Sequence, residues 1–179
     1  EFFNNSGNTI QFRAEPITIN GTGISNGGAI RSIQGNNKFL GTITIGADTR
    51  INSDTESNLF EIASSGNITG TGLDIIFGGT GDIKVDDPIN TGSGGKVTKD
   101  GSGELEISAA SNYTGLVTVS AGTLTAANNT ALGTIAGGVT VASGAILNLR
   151  EGITVGNEAL ALVGSTLTNE TSASWTAGY

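Results

Sequence analysis

Residues 97–108 read Val97-Thr98-Lys99-Asp100-Gly101-Ser102-Gly103-Glu104-Leu105-Glu106-Ile107-Ser108. Residues 109–133 continue Ala109-Ala110-Ser111-Asn112-Tyr113-Thr114-Gly115-Leu116-Val117-Thr118-Val119-Ser120-Ala121-Gly122-Thr123-Leu124-Thr125-Ala126-Ala127-Asn128-Asn129-Thr130-Ala131-Leu132-Gly133. The stretch is a string of very short strands divided by Gly, Asn and Ser. Leu105 and Ile107 share one strand face while Glu104 and Glu106 share the other, and Val117 and Val119 flank an opposite-facing Thr118, as a half-buried strand of period two requires. Gly101, Gly103, Gly115 and Gly122 punctuate the strands where the chain must turn.

The same grammar runs outward in both directions. A β-branched apolar residue, Thr and a second such residue recur at Ile17-Thr18-Ile19, Ile43-Thr44-Ile45, Val117-Thr118-Val119, Val139-Thr140-Val141 and Ile153-Thr154-Val155. Phe60-Glu61-Ile62, Leu73-Asp74-Ile75 and Ile83-Lys84-Val85 fill the long gap between the second and third copies, so the step is an irregular one of about 25 residues. A longer echo pairs Asn37-x-Phe39-x-Gly41-x-Ile43-Thr44-Ile45-x-Ala47 with Ser111-x-Tyr113-x-Gly115-x-Val117-Thr118-Val119-x-Ala121. A third start is expected at Ala173-Ser174-Trp175-Thr176-Ala177-Gly178. No window holds the i, i+3, i+4, i+7 pattern of a helix, and Glu158-Ala159-Leu160-Ala161-Leu162 alternates as well as it rotates. These readings predict an all-β solenoid of roughly seven or eight rungs, each about 4.8 Å above the last, with Ile, Val, Leu and Phe stacked inside. Val117, Val119, Leu124, Val139 and Val141 are expected inside, and Thr118 and Thr140 outside.

Composition narrows the chemistry. Charged residues make up 13 % of 179, about half the globular norm, and 29 Gly stand against 2 Pro, which suits stacked neutral strands better than salt-bridged helices. The net charge of −8, with no basic cluster, offers nucleic acid no electrostatic footprint. There is no Cys and no His, which removes disulfides, thiolate chemistry, Ser-His-Asp and Cys-His constellations and His-ligated zinc. The longest apolar runs, such as Ala159-Leu160-Ala161-Leu162-Val163, fall far short of a membrane span, so this segment is not expected to insert directly into a membrane. With no Met and no signal segment, residues 1–179 are expected to be a single β-helical segment of a longer repeat protein.

The ordered set Asp100-Gly101-Ser102-Gly103-x-Leu105-x-Ile107-Ser108, Asn112-Tyr113-Thr114-Gly115, Thr118-Val119, Ala121-Gly122-Thr123-Leu124 and Asn128-Asn129-Thr130-Ala131-Leu132-Gly133 resembles one copy of the autotransporter passenger-associated β-strand repeat, with residues 97–133 as the best-matching stretch. Glu104 and Glu106 stand where that pattern favours Thr or another neutral residue, and Leu116 where Gly or Thr is common. The resemblance implies a right-handed parallel β-helix in a long protein displayed on, or released from, a bacterial outer membrane. It also implies a structural stalk or spacer, with an adhesive surface as a further expectation.

Each candidate site has a structural reading beside the chemical one. Asn90-Thr91-Gly92-Ser93-Gly94-Gly95-Lys96-Val97 approaches a phosphate loop but lacks its leading Gly and the Ser or Thr after Lys. Gly78-Gly79-Thr80-Gly81-Asp82 approaches the calcium-binding nonapeptide of β-rolls, yet occurs once where stacked copies are needed. Asp82, Lys84 and Asp86 share a strand face with Asp87 just beyond. Some parallel β-helices are polysaccharide lyases using Asp-bound calcium and a Lys or Arg base, while the same row also neutralises itself on a solvated strand. Phe39, Tyr113 and Trp175 are either a sugar-stacking ladder or corner packing. Asn-x-Ser/Thr sequons at Asn4, Asn20, Asn67, Asn112, Asn128 and Asn169 follow from composition.

The sequence therefore predicts no catalytic residue, no metal site and no cofactor, and names no ligand-binding residue. A glycan- or cell-surface-binding module and a β-helical polysaccharide lyase or hydrolase are the alternatives to the stalk. The expected partners are adjoining β-helical rungs or further copies of the chain, which would pair with terminal strand edges that carry no visible cap, and a host-cell or glycan ligand.

Overall fold

In the computed structural model, residues 1–4, 8–63 and 66–176 are described. Every strand pair among them is parallel, and the chain winds as a β-solenoid of about seven turns. A single 3-10 turn, Ile24–Asn26, is the one helical element of the described residues.

Three faces form because each turn contributes up to three short strands separated by corners. The first face stacks Ile30–Gln34, the second half of the long strand Ile43–Ser53, Ile75–Gly79, Val97–Lys99, Val117–Val119, Val139–Val141 and Leu160–Leu162. The second face stacks eight strands, Ile10–Phe12, Asn37–Phe39, Leu59–Ile62, Asp82–Val85, Glu104–Ile107, Thr123–Ala126, Ile146–Leu149 and Thr166–Asn169. The third face begins as Ile17–Gly21, the first half of Ile43–Ser53, Ile68–Thr69 and Ile89–Asn90. It resumes as Thr154–Val155 paired with Ser174–Trp175.

Parallel register turns the alternation of each strand into vertical columns. Phe60, Ile83, Leu105, Leu124, Leu147 and Leu167 stand one above another on the inside of the second face. Ile17, Ile43, Ile68 and Ile89 do so on the third. Stacking like on like fills the lumen with branched aliphatics that are completely or almost completely buried from Ile43 to Leu147. Val117, Val119, Leu124, Val139 and Val141 are buried, and Thr118 and Thr140 pair on the outside, as alternation requires. In the first turns the column is aromatic: the Phe2 ring stacks on Phe12 at 4.0 Å and lies 5.5 Å from Phe60.

The repeated triplets do not mark one position of the turn. Ile17-Thr18-Ile19, Ile43-Thr44-Ile45 and Ile153-Thr154-Val155 lie on the third face, whereas Val117-Thr118-Val119 and Val139-Thr140-Val141 lie on the first. The echo of residues 37–47 in residues 111–121 thus aligns different faces. In–out–in alternation encodes burial and carries no label for the face. True equivalence comes from the ladder: Ile51, Phe77, Lys99, Val119 and Val141 are successive, at steps of 26, 22, 20 and 22 residues. Of the expected third start, Ser174 and Trp175 form a strand, while Ala177 and Gly178 lie outside the described residues. The Asn4 sequon also runs into residues outside the description.

Candidate functional site

The outward side of the second face carries a column of charge. Lys38, Glu61, Lys84 and Glu106 occupy one register position in four successive turns, with the sign alternating at every turn. Lys38 Nζ lies 2.6 Å from Glu61 Oε1, and Lys84 Nζ lies 3.0 Å from Asp86 Oδ1 and 3.9 Å from Glu106 Oε1. Arg150, two turns further on, pairs with Glu106 and reaches Glu170 Oε1 at 3.5 Å. Asp82, Lys84, Glu104, Glu106 and Arg150 rim a shallow groove of about 340 Å³.

The charges of this groove pair with one another. The hydrogen bond to Asp86, opposed by partial burial, raises the Lys84 pKa above 10.5. Burial pushes Asp86 upward, but the hydrogen bonds from Ser108 and Lys84 outweigh it and hold the carboxyl below 3.8. The row Asp82-Lys84-Asp86 is brought together only in part. Asp82 Oδ1 accepts the Glu104 backbone N–H at 2.8 Å, and Asp87 turns away into the protein, where its Oδ1 accepts the Gly66 N–H at 3.2 Å.

The other candidate motifs lie at corners. Gly94 N–H donates to Thr114 Oγ1 at 2.9 Å, and the chain runs on from there into the strand Val97–Lys99 rather than a helix. In Gly78-Gly79-Thr80-Gly81-Asp82, a Cβ on Gly81 would sit 2.5 Å from both Ser53 Oγ and the Thr55 carbonyl oxygen, so close packing on the previous turn explains that glycine. Among the described residues no three His, Cys, Asp or Glu side chains gather closely enough to hold a metal ion. Phe39 and Tyr113 are buried in the lumen, and Tyr113 Oη donates to the Ala131 carbonyl at 2.9 Å. Trp175 is half-buried, with its indole N–H donating to the Glu158 carbonyl at 3.3 Å. No described aromatic ring is among the exposed large apolar side chains.

Two polar features of the wall escaped the sequence reading. Arg50 makes a bidentate ion pair with Asp100, both contacts at 2.7 Å, and its Nε donates to Asn52 Oδ1 at 3.0 Å. Asn52 in turn donates to Asp54, which also receives Arg31. Lys99, in the inward column between Phe77 and Val119, is 2 % exposed. Its Nζ donates to the carbonyls of Asp100 and Gly101 at 2.8 Å and of Ala121 at 3.3 Å, tying together the corners of two turns. Burial lowers this amine to about 8 against the pull of the Asp100 and Asp82 charges. The alternation Val97-Thr98-Lys99 was the available signal, since it places Lys99 on the same side as Val97.

Residues 97–126 match the family model of the passenger-associated-transport-repeat. The matched segment enters at the strand Val97–Lys99 and leaves at the end of Thr123–Ala126, so it covers one complete turn and the first two faces of the next. No curated protein and no solved structure matches the chain.

Proposed function

We propose that this chain is a structural stalk or spacer: a β-helical segment of an autotransporter-like passenger, displayed on or released from a bacterial surface. One observation carries the reading. The passenger-associated-transport-repeat falls in register on the ladder of a continuous parallel solenoid, so the repeat is a unit of the shaft rather than an appended module. The rest of the wall suits that role. The charged column pairs internally, Phe39, Phe60, Phe77 and Tyr113 are buried in the core, and eight stacked second-face strands make a rod about 35 Å long. Adjoining β-helical rungs of the same protein, or further copies of the chain, are the partners such a shaft calls for, and no turnover is required of it.

The test is display. Placed between a signal peptide and a translocating β-barrel in a Gram-negative host, the chain should reach the surface, where added protease removes it from intact cells. A tandem duplication should move a distal epitope further from the membrane. Retention inside the cell, or release of unsaturated sugars from acidic polysaccharide that Lys84→Ala abolishes, would count against the spacer.

A further inference from the structure

The third-face ladder lapses in the middle of the protein. Between Ile89–Asn90 and Thr154–Val155 the chain passes through residues 110–114 and 128–138 without a third-face strand. The latter segment carries Gly133, Gly137 and Gly138 and folds as turns closed on themselves, with Ala131 N–H on Asn128 O and Gly133 N–H on Thr130 O. One of its contacts with the next turn is made by a side chain: Asn129 Oδ1 accepts the Thr154 N–H at 2.8 Å. Backbone bonds tie this segment to the preceding turn, with Ser111 N–H on Thr130 O and Thr134 N–H on Tyr113 O, and on its other side an open cleft of about 430 Å³ forms a seam.

The seam contains buried polar atoms with nothing to bind. Glu158 lines it and is only 3 % exposed, yet its Oε2 has no hydrogen-bond partner. Thr134 Oγ1, also of the lining, is likewise buried and unpartnered. Glu158 is the one charged residue of the lining, and no Lys or Arg faces it. Behind it Tyr113 is a buried neutral phenol committed to Ala131, and Trp175 binds the Glu158 backbone rather than its carboxyl. Ile135, 63 % exposed, stands at the mouth, with Gly133 and Gly156 lining the walls. A buried unpaired carboxylate is costly: such a group either holds its proton or, once ionised, favours a counter-charge brought from outside.

We propose that this seam is a binding site for an alkylammonium group, taken up with its N–H donors on Glu158 Oε2 and Thr134 Oγ1 and its hydrocarbon stem against Ile135. A lone carboxylate does not supply the several anionic oxygens that a divalent metal takes, whereas an ammonium needs one charge and a few acceptors. The protein shows the pattern at Lys99, where an ammonium lies among three oxygen acceptors inside the solenoid. The ammonium has two sources, a free aliphatic amine or a lysine side chain of another protein. This site goes beyond the spacer role and stands or falls separately from it.

The experiment is a titration of the full chain with n-butylammonium, followed through the backbone amide resonances of Thr134, Gly156 and Glu158. Saturable shifts confined to the seam are expected well above pH 7. Affinity should fall about tenfold per pH unit well below about 7, where burial makes Glu158 take up its proton. Glu158→Gln should fold and lose the binding. Gly156→Val, whose Cβ would meet only Ile135 at 3.4 Å, should weaken it by narrowing the seam. A blocked Gly-Lys-Gly peptide binding more tightly than butylammonium identifies a lysine source, and the reverse order a free amine. Saturation by n-butanol equal to that by the amine, binding undiminished in Glu158→Gln, or no saturable shift with either probe would overturn the proposal.

Discussion

Arg50 and Asp100, fifty residues apart, close a two-pronged ion pair across the turn that lies between them. Arg50 stands on the strand Ile43–Ser53 and Asp100 just after Val97–Lys99, with Ile75–Gly79 running between. The pair passes over Gly78. A Cβ there would lie 2.0 Å from Asp100 Oδ1 and 2.2 Å from Arg50 Nη2, so the glycine is the gap through which two non-adjacent turns are clamped. Asp100→Asn would leave a guanidinium 9 % exposed without its counter-charge, at an expected loss of about 3 kcal/mol in denaturant unfolding. Gly78→Ala displaces only the two side-chain ends, so it should cost less than Asp100→Asn, and the two losses should not add, since both changes act on the same pair.

The charged column on the second face should behave differently. Lys84 is about a third exposed and sits among several acids, so Lys84→Ala is expected to cost less than about 1 kcal/mol. A loss comparable to that of Asp100→Asn would mean the column is a structural clamp and not a solvated, self-neutralised surface.

Lys99 ties stability to alkaline pH. Its folded pKa of about 8 lies below the ordinary 10.5, so between those values the unfolded chain binds more protons and this group's contribution rises with pH. The penalty of charging the buried amine is complete below about 8 and relieved by about 10.5. In Lys99→Met the stability-versus-pH curve should lose that rising component in chemical denaturation between those limits, and an unchanged slope would place the amine in water.

Glu158 acts in the opposite sense. Burial raises its pKa to about 7 from 4.5, so the folded protein binds the extra proton between these values. Its contribution is fully present below about 4.5 and lost as pH rises through about 7. Glu158→Gln should therefore be more stable than the parent above neutrality and converge on it in acid. Equal stability at every pH would show a carboxyl already compensated.

The fold was legible because a solenoid repeats one local rule. Alternation at Leu105 and Ile107, at Val117 and Val119, and at Val139 and Val141 specifies which side is buried, and repetition stacks those sides. Face assignment was not legible, since Ile43-Thr44-Ile45 and Val117-Thr118-Val119 obey the same alternation on different faces. Polar contacts between turns were also hidden. Arg50 meets Asp100 only through the sum of two unequal turn lengths, and Asp87 leaves the row of Asp82, Lys84 and Asp86 because the corner at Pro88 follows it. Glu158 stood in a segment readable as strand or helix, and its burial beside residues 129–135 of the preceding turn has no local signature.

In-register parallel stacking underlies both the fold and the proposed role, and a single cross-linking measurement reads it out. The chain has no Cys, so Thr118→Cys with Thr140→Cys introduces the only thiol pair. These residues are ladder partners on the outer side of adjacent turns, at the roughly 4.8 Å spacing that a disulfide tolerates. Mild oxidation should give a monomeric, internally cross-linked chain in high yield, while Thr118→Cys with Val141→Cys, on opposite sides of the sheet, should give none. Failure of the first pair, or equal yield from the second, would contradict the solenoid and the function built on it.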